Sequence, residues 1–257
     1  MKSFQNKNIW IIGASSGIGA ALAQNLAKQG ARIILSARRE DELNDVASTM
    51  EGNPIVLTAD VTDHKDLTKK AKKLKKDLGT LDSIILLAGM YDPSLVKDMN
   101  LEKAHQTIDV NLKGTLNLIH AVLPILKAQK YGQLALTASV AGYRGLPKGQ
   151  PYSATKAAMI NLTESLRAEE KELDIRLISP GFVKTPMTAK NDFDMPMAIE
   201  PDAAANHIAK GLISNSFEIH FPKAFSLIIK TLRIIPNWLY FIIAGKMMNE
   251  ITKKNQE

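Results

Sequence analysis

Apolar runs and segments of helical period alternate along this chain with few interruptions. Seven short runs read as strands: Asn8–Ile12, Arg32–Ser36, Pro54–Ala59, Leu81–Ala88, Gln133–Ala138, Asp174–Ser179 and Phe217–His220. Leu81–Ala88 is nearly all apolar, as a strand buried on both faces must be. Between the runs lie an Ala/Leu-rich helix at Gly17–Gln29, closed by Gly30, and a polar helix at about Glu40–Met50. A lysine-rich helix opens at Asp63 and closes at Gly79, and others are predicted at about Tyr152–Lys171 and Pro201–Ile213. Leu101–Gln129 is one long helical stretch. Pro124 is expected to kink or break it, because proline offers no N–H and crowds the preceding turn. Strand–helix alternation specifies a parallel sheet with helices on both faces. Right-handed crossovers then send the first three strands one way and the later ones the other. The prediction is a single doubly wound α/β domain, its seven parallel strands in the order 3-2-1-4-5-6-7. Its ligand crevice should open beyond the carboxyl ends of strands 1 and 4. No repeat, low-complexity tract or linker divides the chain.

Composition narrows the chemistry. With 257 residues, 45% hydrophobic and 23% charged, this is ordinary globular material, not a disordered, collagen-like or disulfide-stapled chain. It has no cysteine, which excludes thiol nucleophiles, Cys-ligated zinc and iron–sulfur clusters. It therefore has no need of an oxidising compartment. Polar Met1–Asn8 runs straight into the first strand, without the basic start and apolar stretch of a secretory signal. A cytoplasmic location is expected. The formal net charge is +7, and Lys69, Lys70, Lys72, Lys73, Lys75 and Lys76 crowd one helix. Nucleic-acid binding would need base-stacking aromatics on such a face, yet only 5% of the residues are aromatic. A solvated helix face is the simpler reading, and no nucleic-acid partner is expected. His64, His105, His120, His207 and His220 are scattered. Without metal-ligand spacing among them, no metal site is predicted.

The loop after the first strand reads Gly13-Ala14-Ser15-Ser16-Gly17-Ile18-Gly19. Gly13 permits a tight turn, Gly17 lets the backbone approach a pyrophosphate, and Gly19 lets the helix pack close to the strand. Amides at the helix start favour an anion there. A plain Gly/Ser connection could carry the same residues. Its place between a first strand and an Ala-rich helix is what points to a dinucleotide and a Rossmann-type domain. NAD enzymes carry an acidic residue near the end of the second strand, but here that end reads Ser36-Ala37-Arg38-Arg39. Guanidinium forks match the oxygens of a 2′-phosphate. Arg38 is the stronger candidate, with Arg39 and Ser15 beside it. The predicted cofactor is NADP(H) rather than NAD(H).

Ser139, followed by Tyr152-Ser153-Ala154-Thr155-Lys156, completes a wider pattern. Together with the glycine turn, Asp60-Val61, Ala88-Gly89, Asn111 and Pro180-Gly181, it resembles the short-chain dehydrogenase/reductase family over about residues 7–220. Residues 221–250 are left as a C-terminal helical extension. Tyr152 and Lys156, four apart on a helix, share a face. A free phenol titrates near 10, too high for efficient proton exchange at neutral pH, and the adjacent ammonium is expected to lower it. The resemblance implies that Tyr152 is the general acid/base and that Lys156 also bonds the nicotinamide ribose. It implies that Ser139 holds the substrate oxygen while charge develops, and that Asn111 supports a water chain to Lys156. It places Asp60 at the adenine amino group and Val61 on the ring, with Ala88 and Gly89 beside the ribose. Pro180, Gly181, Val183 and Thr185 would surround the nicotinamide amide. One stretch departs from the family: Leu86-Leu87-Ala88-Gly89 stands where Asn-Asn-Ala-Gly is usual. It reads as a structural substitution.

Candidate substrate contacts are Ser139, Tyr143, Leu146, Tyr152 and Met187. Met187, Met195 and Met197 could form an adaptable apolar wall or only fill a core gap. Phe221–Met248 holds two apolar halves interrupted by Lys230, Arg233 and Pro236, each too short to span a bilayer. Lid, oligomer contact and an amphipathic element on a membrane surface all remain open for it. The expected function is NADP(H)-dependent interconversion of a carbonyl and a secondary alcohol on an apolar substrate, by a homodimer or homotetramer. The alternatives are a non-catalytic dinucleotide sensor or a membrane-surface, lipid-binding protein on the same fold.

Overall fold

The computed structural model describes residues 1–191 and 193–254. Strands β1 (Asn8–Ile12), β2 (Arg32–Ser36), β3 (Ile55–Val56), β4 (Ser83–Leu86), β5 (Gln133–Thr137), β6 (Asp174–Pro180) and β7 (Glu218–Phe221) form one sheet. Its order is β3-β2-β1-β4-β5-β6-β7 and every neighbouring pair is parallel, as the alternation predicts. Helices α1 (Gly17–Lys28), α2 (Glu40–Ser48), α3 (His64–Leu78), α4 (Leu101–Ile108), α5 (Gly114–Gln129), α6 (Tyr152–Glu169) and α7 (Pro201–Leu212) connect the strands. Two more, α8 (Lys223–Ile234) and α9 (Asn237–Lys254), follow β7.

Successive strand residues point to opposite faces, and here both faces are buried. Trp10, Ile12, Ile34, Ile84, Leu86, Leu134 and Leu136 pack against Leu67 and Leu74 of α3, Leu118 and Val122 of α5 and Met159 of α6. Their neighbours Ile9, Ile11, Ile33, Leu35, Ile85 and Ala135 pack against Leu22 and Leu26 of α1 and Ile208 and Leu212 of α7. The edge strand is shorter than Pro54–Ala59. Only Ile55 and Val56 pair as a ladder, although the N–H groups of Leu57 and Ala59 still donate to the Leu35 and Ala37 carbonyls at 2.9 Å. In α3, the Asp63 carboxylate accepts from the Asp66 N–H at 3.0 Å, and Gly79, at φ +77°, ends the helix. Leu67, Ala71 and Leu74 face the sheet, while Lys70 and Lys73 pair with Asp66 and Asp77 one turn away.

The long helical stretch does not break at Pro124. α5 runs through that residue to Gln129. The carbonyl that loses its donor belongs to exposed His120, where water can replace the missing N–H. The change comes instead at Asp109–Lys113, a wide π-type turn between α4 and α5 that buries Asn111. Such turns insert one residue into a helix and so re-aim a side chain.

Candidate active site

The carboxyl ends of the strands and the loops after them bound a crevice of about 510 Å³. Its floor at β1 is the glycine turn. Gly13 sits at φ +93°, and a Cβ there would lie 2.4 Å from the Ala88 nitrogen. A Cβ on Gly19 would lie 2.0 Å from the Gly13 carbonyl oxygen. Only glycines let turn, helix and β4 converge this closely. α1 begins at Gly17, and its first-turn N–H groups, like those of any helix, lack acceptors within the helix. Ser15, Ser16, Gly17, Ile18 and Gly19 all line the crevice beside this helix end. The Leu87 and Ala88 N–H groups donate to the Ile12 carbonyl at 2.7 and 2.9 Å. Backbone thus braces β4 to β1 where the family's asparagine side chains are missing.

At the opposite edge Ala37, Arg38, Arg39, Asp60 and Val61 line the cavity. Arg39 is drawn to Glu42 at 2.6 Å. The Asp60 carboxylate accepts from the Thr62 N–H and hydroxyl, at 2.8 Å each. Val61 packs on Gly114, where a Cβ would meet its Cγ2 at 2.6 Å.

Ser139, just beyond β5, donates to the Pro180 carbonyl at 3.3 Å and accepts from the Ala141 N–H at 3.2 Å. Tyr152 opens α6, and its hydroxyl is hydrogen-bonded to Ser139. Lys156, one turn on, is buried. Its Nζ donates to the Thr137 carbonyl at 2.8 Å and lies 5.5 Å from the Tyr152 ring centre. Asn111 Oδ1 accepts from the Met90 N–H at 2.7 Å, and Nδ2 donates to the Met90 carbonyl and Thr155 hydroxyl at 2.9 and 3.0 Å. The expected lowering of the phenol is not found. Burial pushes Tyr152 up and the Ser139 bond only partly offsets it. The same desolvation pushes Lys156 down to about 8. Loss of water outweighs the Ser139 bond, and the phenol keeps its proton.

Pro180, Gly181, Val183, Thr185 and Met187 reach the crevice, as do Ala88 and Gly89. A Cβ on Gly89 would come within 3.4 Å of Asn111 Oδ1 and 3.8 Å of both Lys156 Nζ and Met187 Cε. That open floor, the helix-end amides and the two arginines at the far edge fit an elongated dinucleotide. Tyr143 and Leu146, expected as substrate contacts, are not among the residues that line this crevice. Tyr143 is buried, with its hydroxyl donating to the Glu218 carboxylate and Lys230 Nζ 5.3 Å from its ring centre. The turn after Ser139 rotates it towards β7. Conversely, the sequence reading missed Met90 and Tyr91. The Tyr91 ring stands edge-on to Tyr152 at 4.9 Å, and its hydroxyl donates to Asn191 Oδ1 at 2.8 Å. Its only signal is its place two residues past Gly89, where β4 opens onto the switch point.

The family model for short chain dehydrogenase matches residues 7–195. An uncharacterized oxidoreductase of Staphylococcus epidermidis is 36% identical over 218 residues, covering 84% of this chain and 95% of its own. A short chain dehydrogenase from Burkholderia cenocepacia, in complex with NADP, is 25% identical with a TM-score of 0.80, covering 90% of this chain and 94% of its own. A short chain dehydrogenase/reductase from Burkholderia phymatum, in complex with NAD, shares the fold at 21% identity with a TM-score of 0.82, over the same two shares.

Proposed function

The chain belongs to the short-chain dehydrogenase family of oxidoreductases, and from that premise we propose an NADP(H)-dependent enzyme that interconverts an apolar carbonyl compound and its secondary alcohol. One observation carries the reading. The Ser139 hydroxyl, the Tyr152 phenol and the Lys156 ammonium meet in the same crevice as the glycine turn and Arg38. The dinucleotide, when bound, supplies or accepts the hydride. Tyr152 Oη donates its proton to the substrate oxygen as a carbonyl is reduced, and takes one back as an alcohol is oxidised. Ser139 Oγ, held by the Ala141 N–H, turns its one proton from the Pro180 carbonyl to that oxygen as negative charge builds on it. Lys156 faces the phenolate left behind and favours it while still protonated. Met90, Tyr91, Pro186 and Met187 line the same crevice, which supports an apolar substrate.

Arg38 carries the preference for NADP(H). It lines the cavity edge with no carboxylate from the β2 end to repel a phosphate, whereas Arg39 is already paired with Glu42. Consumption of NADPH against a panel of apolar ketones tests the whole reading. Tyr152→Phe should lower kcat by about 100-fold or more with dinucleotide affinity preserved. NADPH should bind at least about tenfold more tightly than NADH, and Arg38→Ala should erase the difference. Unchanged turnover in Tyr152→Phe, or tighter NADH binding, would refute the corresponding assignment.

A further inference from the structure

α8 and α9 are apolar on two sides. Inward, the buried Tyr240 donates its hydroxyl to the Gly145 carbonyl, and the Arg144 guanidinium lies 4.4 Å from its ring centre. Arg144 also donates to Asn237 Oδ1 at 2.5 Å. Phe225 of α8 lies 5.4 Å from Phe182, ring centre to ring centre, and backs Gly181, where a Cβ would come within 2.9 Å of it. The inner faces therefore grip the loop between Ser139 and Tyr152 and the Gly181 wall, both at the catalytic end of the crevice. Outward, a surface helix should be polar, but Leu227, Ile228, Ile234, Trp238, Phe241 and Ile242 are exposed, Trp238 by 66% and Phe241 by 67%. A patch of that kind marks a docking surface.

Charge identifies the occupant. Residues 222–254 carry Lys223, Lys230, Arg233, Lys246, Lys253 and Lys254 against one acid, Glu250, and Lys223, Arg233 and Lys246 are exposed. Lys230 instead turns inward, to Glu218. A second copy docking through the same face would bring two faces of the same positive charge together. An anionic bilayer sets them against lipid phosphates and takes Trp and Phe into the headgroup boundary. Neither helix is long and apolar enough to cross a membrane. We propose that α8 and α9 form an interfacial platform that lies in the plane of anionic bilayers and seats the catalytic end of the crevice beside the membrane.

The full chain carries its own reporter. Of its two tryptophans, Trp10 is fully buried and Trp238 is exposed, so a vesicle-dependent blue shift arises at Trp238. Phosphatidylcholine vesicles with phosphatidylglycerol should shift the emission and carry the protein upward in a flotation gradient, and pure phosphatidylcholine should do so far less. Salt should weaken the binding. Arg233→Glu with Lys246→Glu should reduce partition about tenfold or more. Trp238→Ser with Phe241→Ser should do the same through lost apolar burial, leaving NADPH affinity and the unfolding midpoint unchanged. Three results would overturn the proposal. One is no recovery with anionic vesicles, and another is undiminished recovery of either double variant. The third is a dimer in solution, dispersed by the serine pair, in a protein that ignores vesicles.

Discussion

Lys156 has exchanged water for a single backbone acceptor, the Thr137 carbonyl, and that loss of hydration lowers it from its ordinary 10.5 to about 8. Its ammonium is present below pH 8 and lost above it. Affinity for the anionic dinucleotide should accordingly decline as pH rises through 8, and titration of bound NADPH fluorescence measures it. For stability the sign is opposite. Between pH 8 and 10.5 the unfolded chain holds a proton that the folded chain has released, so stability without dinucleotide should rise across that window. Lys156→Met should flatten both profiles. Tyr143 illustrates a different residue-scale outcome, since burial and its bond to the Glu218 carboxylate push the phenol up and keep it a donor. Tyr143→Phe should cost about 1–2 kcal/mol in denaturant unfolding with KM for the carbonyl unchanged. A raised KM would return it to the substrate wall.

Among the elements, the π-type turn at Asp109–Lys113 carries the most information. It buries Asn111 where one amide satisfies both backbone groups of Met90 and the Thr155 hydroxyl, tying the loop after β4 to α6. Asn111→Ala strands these groups and should cost about 1–3 kcal/mol. It should also lower kcat, because Tyr91 follows Met90 and leans on Tyr152. The apolar period of Leu101–Gln129 could not reveal this turn, since one inserted residue barely disturbs a repeat of 3.6. Pro124 gave a local signal for a break, but the solvent side of α5 absorbs it. The caps of α3 at Asp63 and Gly79 were legible, because side-chain bond and positive φ both act within a few residues of the helix end.

At the scale of the molecule, α8 and α9 brace the catalytic end rather than the dinucleotide end. Lys230 pairs with Glu218, Tyr240 bonds Gly145, and Phe225 backs Gly181. Deleting residues 222–257 should therefore lower the unfolding midpoint and raise KM for the carbonyl several-fold, while NADPH affinity changes about twofold or less. Steady-state kinetics beside an NADPH titration would separate the two effects. The amino-acid order by itself determined the sheet order and the glycine turn. It also put Tyr152 and Lys156 on one helix face, and the family resemblance added Ser139 to them. The first three rest on alternation or short spacing, and strand handedness leaves few ways to assemble the rest. Tertiary structure alone decided that Tyr143 turns to Glu218, 75 residues away, and that Tyr91 bonds Asn191, 100 residues away. It alone decided that burial raises the Tyr152 phenol and lowers the Lys156 ammonium. Long-range partners and the loss of water around a group are properties of the packed chain, and no local spacing encodes them.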